Sequence, residues 1–205
     1  MNKGNSPVGY LWFDLEFTDL DPCQARIMQV AMWLTDVHLQ PLDPADTGLN
    51  IVVQLPPEAD VSPWVHENLK GLVTRCRSPQ ATPAGAVELL CTRYLDRYSG
   101  PPADDITARP VLAGNSVHND WRLASVYYPA LIKRVHYRLL DISTLKQQWT
   151  GWLGKPEFDK EDVELVKRWL PFAHLDPAGQ RHDAFYDILA SIAELHFYRT
   201  NWLAD

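Results

Sequence analysis

Residues 10–22 read YLWFDLEFTDLDP, an apolar run in which Asp14 and Glu16 are the two charges between Tyr10 and Phe17. Aromatic and aliphatic residues in unbroken succession mark a buried strand, and the Thr-Asp-Leu-Asp-Pro that follows marks the turn ending it. Side chains two apart on a strand point to the same side, so the two carboxylates share one spot, with α-carbons about 7 Å apart. Like charges that close in a partly dry place are costly unless a cation neutralises them or a proton is retained. A divalent metal is the economical answer, although an acid-x-acid pair by itself also fits an ordinary solvated strand. The buried flanks favour the first reading, because ligand sites of α/β sheets gather at the carboxyl ends of strands.

Outward from this stretch, RIMQVAMWLTD (26–36) and LNIVVQL (49–55) are two further strand-like runs, separated by the turn-forming QPLDPADTG. Helical spacing then dominates. ATPAGAVELLCTRYLDRYSG (81–100) is a helix with a glycine stop, and RPVLAGNS (109–116) is a short buried strand leading into a helix near HNDWRLASVYY (118–128). HYRLLDIS (136–143) is another strand, with Ser143 or Thr144 starting a helix over LKQQWTGWL (145–153). FDKEDVELVKRWL (158–170) continues the helical pattern, and the last helix starts at residue 182 or 183 and runs to 202. The aromatics Trp149, Trp152, Trp169 and Phe172 read as packing. The order βββαβαβα with extra helices predicts an α/β domain whose sheet mixes parallel and antiparallel strands.

The 205 residues, 46% hydrophobic and 22% charged, suit one folded domain spanning 1–205, with residues 1–8 as a flexible terminus. The formal net charge of −7 argues against a protein that coats long nucleic acid but permits a short anionic substrate in a locally cationic pocket. No window approaches the run of about 18 apolar residues that a membrane helix needs, and MNKGNSPVG lacks the apolar core of a signal peptide. Cys23, Cys76 and Cys91 are odd in number and widely spaced, which fits reduced thiols in a cytoplasmic protein.

Two more segments carry candidate chemistry. In AGNSVHND an apolar strand ends in a Gly-Asn-Ser turn, and Asp120 falls in the first turn of the next helix. There it could serve a site or merely favour the helix dipole, and Asn115 and Ser116 could be turn formers. In RHDAFYDILASIAELHFYR, His182 precedes Asp187 by five residues. That spacing does not share a helix face, but a histidine in the preceding loop can fold back toward an aspartate in the first turns. The alternative is a cap by Asp183 beside an incidental histidine.

Taken as a set, Asp14-x-Glu16, Asp120 and His182-x4-Asp187 resemble the DEDDh branch of the DnaQ-like 3′–5′ exonucleases. Within it, DLEFTDLDP, GNSVHND, HYRLLDISTLK and SIAELHFYR are similar to the oligoribonuclease family, over roughly residues 10–199. The resemblance implies a ribonuclease H-like mixed sheet flanked by helices and a nuclease using four acids, two divalent ions and a histidine. Hard oxygen ligands favour magnesium or manganese. Asp14, Glu16 and Asp187 would hold one ion, and Asp14 and Asp120 the second, at the spacing of about 3.5–4 Å that two-metal sites use. His182 would take the proton of the attacking water. The substrate implied is short single-stranded RNA, cut from the 3′ end to 5′-mononucleotides. Leu20 would wedge beside the terminal base and Trp64 would stack on a base. Ser116, Ser143 and Thr144 would donate hydrogen bonds to phosphate or sugar. Tyr137 and Arg138 would reach across the twofold axis of a homodimer to cap the partner's substrate. Core packing for Leu20 and Trp64, and capping for the hydroxyl residues, are the plainer alternatives. The sequence departs from the family at Asp19, usually glycine, at His118 and Asn119, and in HDAFYD. A DEDDh exonuclease acting on longer RNA or DNA, or a binding module that has lost catalysis, would also fit parts of the pattern.

Overall fold

A computed structural model describes residues 9–21, 23–43, 47–172 and 182–202. The three early apolar runs form an antiparallel meander of β1 (Tyr10–Phe17), β2 (Ile27–Thr35) and β3 (Leu49–Val52). β4 (Val111–Gly114) pairs parallel to β1, and β5 (Leu139–Asp141) parallel to β4. The sheet order is β3-β2-β1-β4-β5, the expected mixture, with β1 central.

The helices are α1 (Pro63–Asn68), α2 (Lys70–Cys76), α3 (Ala84–Ser99), α4 (His118–Tyr127), α5 (Pro129–Ile132), α6 (Ile142–Gln147), α7 (Val163–Trp169) and α8 (Ala184–Trp202). Alternation along β1 divides them between two layers. Leu11, Phe13 and Leu15 pack with Val87, Cys91 and Leu95 of α3 and Leu123 of α4. Trp12 points the other way, with Ala31 and Trp33 of β2, into a core built from Ile188, Leu189 and Ile192 of α8. Asp14 and Glu16 follow Trp12 in this alternation, so they face the α8 layer.

β4 pairs only with residues 10–12 of β1, ending at Trp12 opposite Ala113. A Cβ at Gly114 would lie 2.9 Å from the Phe13 carbonyl oxygen, so the glycine lets the chain pass close and turn out of the sheet. Among the described residues the carboxyl half of β1 is thereby left without a strand partner on that side, where α4 approaches instead.

Several local expectations are corrected. The helix after β5 is capped by Asp141, whose Oδ1 accepts from Ser143 N at 3.0 Å, rather than by Ser143 or Thr144. The helical pattern over 158–170 condenses to α7, because Asp162 caps it through Glu164 N and Leu165 N. Trp149 and Phe172 are buried, but Trp152, on a π-helical turn over Gln148–Trp152, is 73% exposed and is not packing. Residues 1–8 and the stretch 173–181 lie outside the described residues. Among the described residues no helix is long and apolar enough to cross a membrane, and Cys23, Cys76 and Cys91 are free thiols.

Candidate active site

The strand period and the sheet register bring the acids together. Asp14 and Glu16 of β1 and Asp187 in the first turn of α8 each place a carboxylate oxygen within 4.8 Å of the others. The start of α8 is fixed by Asp183, whose Oδ1 accepts from Phe185 N at 3.1 Å. Gln29 of β2 accepts from Ala184 N at 3.3 Å and donates to Asp183 Oδ2 at 3.2 Å, joining α8 to the sheet beside Glu16.

Asp120 enters from α4. Its Oδ1 accepts from Leu15 N at 3.0 Å, so a side chain supplies the acceptor that β4 no longer offers, midway between the two β1 acids. Asp120 is buried and stands outside the group of three, yet close enough for its charge to raise the Asp14 pKa.

Electrostatics agree with this crowding. Burial pushes Asp14 well above the usual carboxylate range, and the charges of Asp120, Asp187 and Glu16 push further, against a smaller opposing pull from Lys160. Glu16 is lifted to about 8, first by burial and then by Asp187, Asp120 and Asp183. Asp120 is lifted to about 7 by burial, despite the Leu15 amide that favours its ionised form. A pocket of carboxylate oxygens that retain protons near neutrality is one that a hard divalent cation can occupy by displacing them. The donor set fits magnesium or manganese.

His182 lies in the turn before α8 with φ 62°, a left-handed conformation uncommon for a side chain of this size. Its ring meets Trp64 edge to face, with centroids 5.1 Å apart, so the candidate base and the candidate stacking residue are neighbours. Trp64 is 51% exposed and Leu20, on the turn after β1, is 88% exposed. The two elements are tied by Ser62 N donating to Thr18 O at 2.9 Å, and the Leu20 turn is braced by Asp19 Oδ1 accepting from Asp21 N at 2.8 Å.

Ser116, also at positive φ, donates its N–H to Asp141 Oδ1 and to Ser143 Oγ, and the two serine hydroxyls are 3.0 Å apart. Ser116 and Ser143 therefore form one polar corner, with Thr144 exposed beside it. Tyr137 is 61% exposed, stacked on His136 at 4.4 Å, and the Arg138 guanidinium lies 5.3 Å over its ring. This pair occupies the loop before β5, apart from the acid cluster in sequence and element.

Sequence reading missed a supporting layer. Asn115 donates to Ser191 Oγ at 2.9 Å and to fully buried Glu194 at 2.8 Å, and Tyr198 donates to the same carboxylate at 2.9 Å. Asp187, Ser191 and Glu194 are spaced i, i+4, i+7 on α8, a polar stripe in its largely apolar first part, 184–195, that was there to be read. Gln29, a lone amide inside the apolar β2 run, is the other such signal.

The chain is similar in fold to the RNase domain of yeast Pop2, with a TM-score of 0.61 at 8% identity over 96% of this chain and 79% of that one. It is likewise similar to the nuclease domain of 3′hExo, a DEDDh family member bound to rAMP, with a TM-score of 0.56 at 10% identity, covering 94% and 92%. The fold is thus that of the ribonuclease H-like DEDDh exonucleases. No family model matches the chain. Among curated proteins it is 33% identical to the probable oligoribonuclease of Schizosaccharomyces pombe over all of this chain and 72% of that protein. It is 32% identical to the oligoribonuclease of Chromobacterium violaceum over 94% of each, and 32% identical to the human mitochondrial oligoribonuclease over 93% and 72%. The chain belongs to the oligoribonuclease family.

Proposed function

We propose that this protein is a 3′–5′ exoribonuclease that hydrolyses very short single-stranded RNA to 5′-mononucleotides, with two divalent ions at the acid cluster and His182 as general base. The convergence of Asp14, Glu16 and Asp187 on one point, with Asp120 closing the side, carries this reading. Asp14, Glu16 and Asp187 would hold one magnesium or manganese ion, and Asp14 with Asp120 the second. Bound divalent ions supply charge stabilisation at the phosphodiester oxygens.

The protein's own groups do the rest. His182 accepts the proton of a water that attacks the terminal phosphorus, and the P–O bond to the 3′ oxygen of the preceding nucleotide breaks. Leu20 and Trp64 flank the terminal base, a role that their exposure and the contact of Trp64 with His182 support. Ser116, Ser143 and Thr144 donate to phosphate or sugar at the polar corner.

Tyr137 and Arg138 serve the substrate of a second copy in a homodimer, a reading supported by an aromatic and a guanidinium held outward together. A cap at the far end of the substrate restricts the site to the shortest chains.

Digestion of labelled RNA dinucleotides beside a 20-mer RNA and a matched DNA tests the reading. Fast turnover of the dinucleotide is expected. Preference for the 20-mer or for DNA would assign the chain to a trimming or proofreading role instead, and sedimentation at assay concentration should report a dimer.

A further inference from the structure

Gln29 is a fully buried amide in β2, a strand buried at all nine positions. A buried amide costs free energy unless each of its polar groups finds a partner, and an apolar side chain would fill this place without that demand. Here every partner is supplied. Nε2 donates to Asn50 Oδ1 of β3 at 2.9 Å and to Asp183 Oδ2 at 3.2 Å, and Oε1 accepts from Ala184 N at 3.3 Å. The side chain therefore bridges two strands and the two residues that follow His182 in sequence.

The register makes this bridge relevant to chemistry. Gln29 stands directly opposite Glu16, so the same β2 residue that grips the start of α8 is paired with a cluster acid. His182 sits immediately before that grip, in a left-handed conformation that persists only where the surroundings enforce it. Arg75 of α2 adds an ion pair to Asp183 at 3.6 Å, with its guanidinium half exposed, and is the weaker restraint.

We propose that Gln29 is a positioning residue, holding the 182–184 turn in a fixed relation to Glu16 so that the imidazole of His182 and the acid cluster share one frame. The inference deepens the proposed function and rests on His182 as the general base. Helix capping alone would predict a loss of stability without a specific loss of turnover.

The test is a cycle of four proteins, wild type, Gln29→Leu, His182→Ala and the double variant, assayed on an RNA dinucleotide with Mn²⁺. Alongside it, the imidazole NMR signals of His182 in wild type and Gln29→Leu are compared. Misplacement by about 1 Å can cost on the order of a hundredfold, so kcat of Gln29→Leu should fall about ten- to hundredfold with KM nearly unchanged. The double variant should be no slower than His182→Ala, and the imidazole signals should move.

Independent, multiplying losses in the double variant, or unmoved imidazole signals, would overturn the proposal. If Gln29→Leu does not fold, Gln29→Glu replaces it in every arm, because it keeps the acceptor for Ala184 N while setting a carboxylate against Asp183. Should His182→Ala retain full turnover, the base assignment falls by itself. The imidazole signals then decide the Gln29 proposal alone, movement supporting it and its absence overturning it.

Discussion

The acid cluster and the turns around it are built in opposite ways. Asp14, Glu16, Asp120 and Asp187 are fixed by strand alternation, by a carboxylate seated on a strand amide and by a capped helix start. Leu20, Trp64, Tyr137 and Arg138 stand on turns, short helices and loops, and much of their surface meets solvent. The contrast teaches that the clustered charges are placed by regular structure, whereas the groups proposed to meet a nucleotide stand where side chains can adjust. Substitutions in the first region should abolish chemistry while relieving repulsion. Substitutions in the second should weaken binding and spare the chemical step.

The largest effect is expected at the acids. Asp187→Asn or Asp14→Asn should lower kcat by about a thousandfold or more. The same changes should raise the melting temperature of the metal-free protein at pH 8, because one of the crowded charges is gone. His182→Ala should lower kcat by roughly a hundred- to ten-thousandfold with metal binding intact, as read by steady-state kinetics and calorimetric titration with Mn²⁺.

Proton retention gives a third way to separate the regions. Glu16 moves from its usual 4.5 to about 8 and Asp120 from 3.8 to about 7. The folded, metal-free protein then holds more protons than the unfolded chain between about pH 4 and 8, so stability should be greatest at the acid end and fall as pH rises through that window. Thermal melts in chelator should show this decline. Added Mn²⁺ should reverse it most strongly near pH 8, with release of protons where the acids are still protonated. A metal-free protein whose melting temperature is flat over this range would remove the electrostatic basis of the cluster.

The smallest effects belong to the turns. Stacking contributes about 1–3 kcal/mol per base, so Trp64→Ala should raise KM for a dinucleotide about ten- to hundredfold with a lesser change in kcat. A Trp64→Ala variant that loses kcat instead would mean that its contact with His182, rather than a base, is its main duty.

The parts of the site legible in sequence were those with a period or a boundary. Asp14 and Glu16 stood out because their neighbours are apolar at every other position, and Asp120 because a strand, a turn and a helix start precede it in order. At His182 and Asp183 the aspartate caps α8, as one of the two readings had it, and the histidine occupies the left-handed turn before the helix. The helices α1 and α2 escaped notice because six and seven residues are too few to show a helical period. The Ser62-Pro63 pair, a capping hydroxyl followed by proline at the first helical position, was nonetheless a usable signal. Gln29 and Glu194 were visible as polar letters in apolar runs, but the runs themselves did not name their partners. These lie 21 to 155 residues away in sequence for Gln29, and for Glu194 they are Asn115, 79 residues away, and Tyr198, one turn on.

The central claim is that the four acids meet in order to hold divalent ions for hydrolysis. Chelator-treated protein titrated with Mn²⁺, with cleavage of an RNA dinucleotide followed at each addition, tests it most directly. No turnover before addition, and recovery that saturates as two ions per chain are bound, is the predicted result. Undiminished cleavage in chelator would contradict it.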